Sequence, residues 1–136
     1  MFTNEVKYRV TYADTDQMGY MYYGNYAKLY EIGRTEALRN IGFKYKDMEA
    51  AGIMMPVYEN YSKYLLPALY DDFLTIKVTI KTLPTVRCIF DYEIFNEAGS
   101  LLNTGQTTLV FSRMSDNKLC KPPQNLMLLL NKYFTK

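Results

Sequence analysis

The chain has 136 residues, 49% of them hydrophobic and 15% aromatic, with no Pro/Gly/Ser-rich linker, which excludes a disordered chain and predicts one folded domain over 1–136. A net charge of +2 with no Lys/Arg run lacks the electrostatic footprint of a nucleic-acid binder. Zero histidines exclude a Ser-His-Asp triad or a Cys-His dyad and remove the commonest nitrogen ligand of zinc, so an enzyme here draws its acid, base or nucleophile from a carboxylate before a tyrosine or lysine.

Met1 to Tyr8 has no apolar core of a signal peptide, and no apolar run reaches the length of a membrane span, so the expectation is a cytoplasmic protein. Val6, Tyr8, Val10 and Tyr12 then alternate with Lys7, Arg9 and Thr11, the period of a half-buried strand. From about Asn25 the period becomes helical: Tyr26, Leu29, Tyr30, Gly33, Ala37, Leu38 and Ile41 share one face, while Lys28, Glu31, Arg34, Glu36 and Arg39 line the other. Gly42 stops this helix, and Gly33 on its apolar face implies close packing on a sheet.

Phe43 to Ala51 reads as one or two short helical turns, strongest over 45–49, ending at Gly52. Met54 to Leu66 is extended, and Pro56 places it at a sheet edge or a strand start. Phe73 to Lys81 is the cleanest strand, with Leu74, Ile76, Val78 and Ile80 on one face. Val86 to Phe95 follows with Cys88, Phe90, Tyr92 and Ile94 facing the same way, and Asn96-Glu97-Ala98-Gly99 is a hairpin connection. Leu101 to Arg113 is the last long strand, with Leu101, Leu109 and Phe111 on one face and Thr104, Gln106 and Thr108 on the other. Leu126, Leu129, Leu130 and Tyr133 form a short terminal helix after Pro122-Pro123. Cys88 and Cys120 are too far apart for a disulfide framework or a metal-ligand spacing and read as free thiols, and the chain implies no metal or cofactor.

The order strand, long helix, four antiparallel strands and small helix is an α+β layer architecture. One helix covers only one face of such a sheet, so a second copy is the natural cover for the rest and a homodimer or homotetramer is expected.

The chemistry concentrates between the first strand and the long helix, where 12–26 carries Asp14, Asp16, Gly19 and Gly24 among five tyrosines. A carboxylate at a strand end, beside helix-start amides that have no partner within the helix, sets a charged group next to anion donors. Asp-Thr-Asp with a following glycine is also ordinary turn chemistry. Tyr22, Tyr26, Tyr58, Tyr61 and Tyr64 read first as core or interface and second as the lining of a pocket, and Met18, Met21, Met54 and Met55 as gap-filling or as an adaptable pocket wall. Asn25 reads as a support for the turn, a water-orienting group or a helix cap.

Tyr12-Ala-Asp14-Thr-Asp16-Gln-Met-Gly19-Tyr20-Met-Tyr22-Tyr23-Gly-Asn25-Tyr26, followed by Tyr30-Glu31 and Arg34-Thr-Glu36, resembles the signature of the hot-dog-fold acyl-CoA thioesterases of the 4-hydroxybenzoyl-CoA thioesterase type. Tyr64-Leu-Leu-Pro67-Ala68, Asp72-Phe-Leu74 and the strand around Gly105 resemble that family too. The resemblance implies a hot-dog fold: a long helix wrapped by a five-stranded antiparallel sheet, two subunits pairing their sheets, and active sites at the interface. It places the catalytic acid on Asp16, the backbone oxyanion donor on Tyr23 and a structural role on Asp14. Gly19, Tyr20, Tyr22, Asn25, Tyr26 and Tyr64 become candidates around the substrate, and Lys63, with Arg87 and Arg113, candidates for the phosphates of coenzyme A. Many relatives carry histidine at or near positions where this chain has Tyr20 and Gly24. The implied substrate is an acyl-CoA, with an acyl carrier protein thioester or a non-catalytic acyl-thioester binding role as alternatives. Hydratase chemistry, which pairs an acid with histidine, is disfavoured.

Overall fold

The computed structural model describes residues 1–135. In chain order it contains β1 (Phe2–Arg9), a 3-10 turn (Tyr12–Asp14), α1 (Asn25–Asn40), α2 (Tyr45–Ala50), β2 (Ile53–Met54), β3 (Val57–Tyr64), β4 (Phe73–Ile80), β5 (Arg87–Phe95), β6 (Leu101–Val110), β7 (Ser112–Arg113) and α3 (Gln124–Asn131). Five strands form one antiparallel sheet in the order β1-β4-β5-β6-β3, and β2 pairs with β7 in a small ribbon. This is the expected α+β arrangement of strand, long helix, four strands and terminal helix. No helix of the described residues is long and apolar enough to cross a membrane.

The core lies between α1 and the sheet. Leu74, Ile76, Val78 and Ile80 of β4 and Cys88, Phe90, Tyr92 and Ile94 of β5 are all buried, as their alternation predicts. Leu29, Tyr30, Ala37 and Leu38 of α1 pack onto them, each large apolar side chain contributing about 2 kcal/mol of burial. The approach is closest at Gly33. A Cβ there would lie 2.8 Å from Val78 Cγ2 and 2.9 Å from Ile76 Cγ2, so only glycine lets the helix sit this low. Past Asn40, Gly42 takes φ +94 and its amide, with that of Phe43, closes the helix end on the Arg39 and Leu38 carbonyls.

Several boundaries differ from expectation for local reasons. β1 begins at Phe2 and stops at Arg9, because Thr3, Asn4 and Glu5 hide its start behind polar residues and the chain turns at Tyr12. Pro56 splits the predicted 54–66 stretch into β2 and the edge strand β3. A bulge opposite Phe95 shifts the pairing of β6, so Leu102, rather than Leu101, enters the core. β6 gives way to β7 after Val110, where Ser112 pairs with Met54 instead of continuing the sheet.

The helix-facing side of β6 is unexpectedly polar. Asn103 and Thr107 are buried there, opposite Ile94 and Phe90. Tyr30 lies over Gly105, where a Cβ would collide with the phenol. Its ring stacks on Tyr92 at 4.1 Å, and its hydroxyl, pushed up to about 12 by burial, bonds Ser62 Oγ at 2.8 Å and Asn103 Oδ1. This network ties α1 to the edge strand β3. Arg34 departs from its predicted solvent face and is buried, its guanidinium reaching towards Tyr92. At the far edge the Met1 amine donates to the Tyr133 carbonyl at 2.8 Å, which ties the start of β1 to the segment after α3.

Candidate active site

Asp14 organises the loop between β1 and α1. Its carboxylate is buried; Oδ2 accepts from the Tyr8 hydroxyl at 2.8 Å, the Thr11 amide at 2.9 Å and the Thr11 hydroxyl at 3.0 Å, while Oδ1 accepts from Lys28 Nζ at 3.0 Å. Burial alone would raise its pKa; the Thr11, Tyr8 and Lys28 donors outweigh it and hold the carboxyl below its ordinary value. The Asp14 carbonyl accepts from the Tyr22 amide and from Asn25 Nδ2, both at 2.8 Å. Asp14 therefore joins β1, the loop and the first turn of α1 through both its side chain and its backbone.

Asp16 sits two residues on and is only partly buried. Its Oδ1 accepts from the Met18 amide at 2.9 Å and the Tyr20 amide at 3.3 Å, the local turn chemistry expected of an aspartate before glycine. Oδ2 accepts no hydrogen bond among the described residues. Gly19, at φ +78, makes the reversal that brings Tyr20 back against Asp16, whose amide donates to the Tyr20 carbonyl at 2.8 Å. The Met21 amide donates to the Ala68 carbonyl at 2.8 Å, and Tyr20 bridges to Leu69, so the β3–β4 connection holds the loop from its other side.

α1 begins without a side-chain cap. The Tyr23 and Gly24 amides donate to no acceptor among the described residues, which leaves the positive end of the helix dipole open. Asp16 and Tyr23 line one open pocket of about 300 Å³, whose walls include Tyr20, Tyr26, Tyr64 and Leu66. Tyr64 packs edge-on against Tyr26 at 5.3 Å and Tyr23 at 6.2 Å, and burial pushes the Tyr26 phenol up.

Among the predicted site residues, Asp16, Tyr20, Tyr23, Tyr26 and Tyr64 thus meet in one place, with Gly19 shaping the loop. The others lie apart. Tyr22 is half exposed and lies across Gly24, where a Cβ would come 2.6 Å from its ring. Asn25 neither caps α1 nor reaches the pocket; its amide is committed to the Asp14 carbonyl. Lys63 pairs in register with Thr104 on the outer face of the edge strand, because only the alternate residues Ser62 and Tyr64 face α1. Arg87 lies over the Tyr58 ring at 4.9 Å, and Arg113 makes a two-pronged pair with Asp116. Sequence reading missed Lys28 as the partner of Asp14, which sits a full loop away from it, and missed Leu65 and Leu66, whose role depends on where the β3–β4 connection crosses the helix start.

A single long helix laid across a five-stranded antiparallel sheet, with an aspartate loop folded against the helix start, defines a hot-dog domain. Residues 10–130 match the Thioesterase-like superfamily, and the chain belongs to that family. It is 35% identical over 101 residues to YneP of Bacillus subtilis, covering 74% of this chain and 73% of that protein. It is 33% identical over 102 residues to the acyl-CoA thioester hydrolase YbgC of Escherichia coli, covering 75% of this chain and 76% of that one. Among solved structures, a DHNA-CoA thioesterase from Staphylococcus aureus superposes with a TM-score of 0.85 at 33% identity, covering 98% of this chain and 85% of the other.

Proposed function

We propose that this chain is an acyl-CoA thioesterase that hydrolyses its substrate to a free acid and coenzyme A, with Asp16 as the reacting carboxylate and the Tyr23 amide as oxyanion donor. The observation that carries this reading is that Asp16, with an unengaged Oδ2, and Tyr23, whose amide just before α1 has no acceptor among the described residues, line one pocket. The thioester carbonyl oxygen gains negative charge as its carbon is attacked. A fixed amide dipole there is worth about 3 kcal/mol in the transition state. Asp16 Oδ2 either attacks the carbonyl carbon, giving a mixed anhydride that water then opens, or takes a proton from water as the water attacks. In both routes the C–S bond breaks and the leaving thiolate takes up a proton, from solvent in the anhydride route and from the Asp16 carboxyl, which took it from the attacking water, in the other. Oδ1, held by two loop amides, keeps the reacting oxygen aimed while the charge moves.

The relatives named for thioester hydrolysis support coenzyme A as carrier, with acyl carrier protein as the alternative. A thiol-release screen over an acyl-CoA panel, repeated with matched acyl carrier protein thioesters, tests this. Release from acyl-CoA that vanishes in Asp16→Asn is the expected result. Tight acyl-CoA binding with no release at any chain length would instead make the chain a binding protein. Single turnover in ¹⁸O-water reports the anhydride route where water opens the anhydride at the Asp16 carbonyl carbon, since label then stays in the Asp16 carboxylate, whereas direct attack of water on the thioester puts none there. We also propose a homodimer or homotetramer, supported by the exposed edge strand β3 beside the pocket.

A further inference from the structure

Asp14 to Asp16 pair antiparallel with Tyr20 to Tyr22: the Tyr22 amide donates to the Asp14 carbonyl at 2.8 Å, Thr15 bridges Met21, and the Asp16 amide donates to the Tyr20 carbonyl at 2.8 Å. The aspartate loop is thus a miniature hairpin, reversed over 17–19 with Gly19 at φ +78. Its closed end carries Asp16, and its open end, at Asp14 and Tyr22, meets the start of α1. So short a hairpin is marginal by itself, and whatever holds its open end decides where the acid sits.

α1 holds that end with two side chains, Asn25 and Lys28, spaced i, i+3 on one helix face. Lys28 Nζ donates to Asp14 Oδ1 at 3.0 Å, and Asn25 Nδ2 donates to the Asp14 carbonyl at 2.8 Å. The backbone amide of Asn25 donates to the Tyr22 carbonyl at 2.9 Å. Asn25 therefore fastens both arms of the hairpin, one through its side chain and the other through its backbone. Between Tyr22 and Asn25 lie Tyr23 and Gly24, whose amides meet no acceptor among the described residues.

The two side chains carry different loads. Lys28 neutralises a buried carboxylate that also ties in β1 through Tyr8, so its loss weakens the fold. The Asn25 side chain bonds a main-chain carbonyl that keeps the Tyr22 amide when Asn25 is truncated, so no acceptor is stranded. Truncation there costs the fold little and frees the hairpin to pivot against the helix start.

We propose that Asn25 is a positioning residue for thioester hydrolysis: its clamp on the Asp14 carbonyl sets the separation between the Asp16 carboxylate and the Tyr23 amide. This inference rests on the reaction proposed above. Asn25 lies outside the pocket that Asp16 and Tyr23 line, so it acts through them and not on the substrate. Reacting groups tolerate little displacement, and a misplacement of about 1 Å costs about 10²-fold in rate.

Thiol release from the best acyl-CoA of the panel, measured well below the Tm of every variant, tests the role. Asn25→Ala lowers kcat about 10–100-fold with KM within about twofold of the parent, while Tm falls by only a few degrees. Asn25→Ser, too short to reach the carbonyl but suited to a helix start, shows the same split and decides the matter if Asn25→Ala does not fold. By single turnover in the Asp16→Asn background, Asn25→Ala costs less than about threefold further, because the separation no longer matters once the carboxylate is gone. The proposal is overturned by a folded variant whose kcat stays within about twofold of the parent, by a loss confined to KM, or by an equal loss in the Asp16→Asn background. A parent protein that releases no thiol from any acyl-CoA removes the reaction and this role with it, a result distinguished because it precedes any substitution.

Discussion

Asp14 and Asp16 have the same side chain two residues apart, and their surroundings give them different work. Asp16 keeps one oxygen free at a pocket, so Asp16→Asn should lower kcat by about 10²–10⁴-fold, measured as thiol release, while leaving Tm nearly unchanged. Asp14 has both oxygens engaged, and Asp14→Ala should destabilise the fold by about 2–4 kcal/mol in denaturant unfolding, since it leaves Thr11 and Tyr8 donors unpaired. Its depressed pKa also fixes a pH dependence. The ionised form is favoured in the folded state, so the contribution is fully present above the ordinary value of 3.8 and is lost as pH falls below it through the lower folded value. Tm of the parent should therefore drop more steeply than that of Asp14→Asn on acidification below that value; parallel curves would contradict the assignment. That two acids mark this loop was legible in the sequence, and the resemblance chose between them. Lys28 was not legible as a partner, because a lysine on the polar face of a helix looks the same whether it is solvated or reaches back to a buried carboxylate.

At the scale of elements, what the sequence disclosed tracks the contrast between core and solvent. β4 and β5 alternate apolar and polar along their whole length, and their buried faces match the pattern. β6 resisted the same reading because its core side carries Asn103 and Gly105, which meet Tyr30, and Thr107, whose hydroxyl donates to Asn60 Oδ1, in place of a greasy surface. Period alone cannot distinguish such a strand face from a solvated one. Two glycines test the packing. Gly33→Ala gains about 1 kcal/mol of helix propensity but forces a methyl within 2.9 Å of both Val78 and Ile76, so net destabilisation of about 1–2 kcal/mol is expected in chemical unfolding. Gly105→Ala strikes the ring of a tyrosine locked by stacking and hydrogen bonds, and its loss should be larger, with Tyr30→Phe milder than either full displacement of the ring.

For the whole molecule, β3 is the informative edge. It is largely exposed, and Val57, Tyr58, Tyr61 and Tyr64 leave it more apolar than an unprotected sheet edge normally is. A homodimer or larger assembly is expected by light scattering, and a Tyr58→Glu/Tyr61→Lys double variant should shift the mass towards the monomer. A parent protein that scatters as a monomer at every concentration would remove this expectation. A single chain's sequence could suggest an uncovered face but not which edge carries it; that followed from the strand order, in which the third strand of the chain closes the sheet beside the sixth.

The hydrogen bond between the Met1 amine and the Tyr133 carbonyl has a practical meaning for engineering. Met1 and Tyr133 lie close enough to be joined by a short flexible linker, and the chain can be opened instead at the Asn96–Gly99 turn, far in sequence from the aspartate loop. Such a circular permutant would move the aspartate loop from the start of the polypeptide to its middle while leaving every contact around Asp14 and Asp16 in place, so that the order of synthesis and the geometry of the site become separate variables.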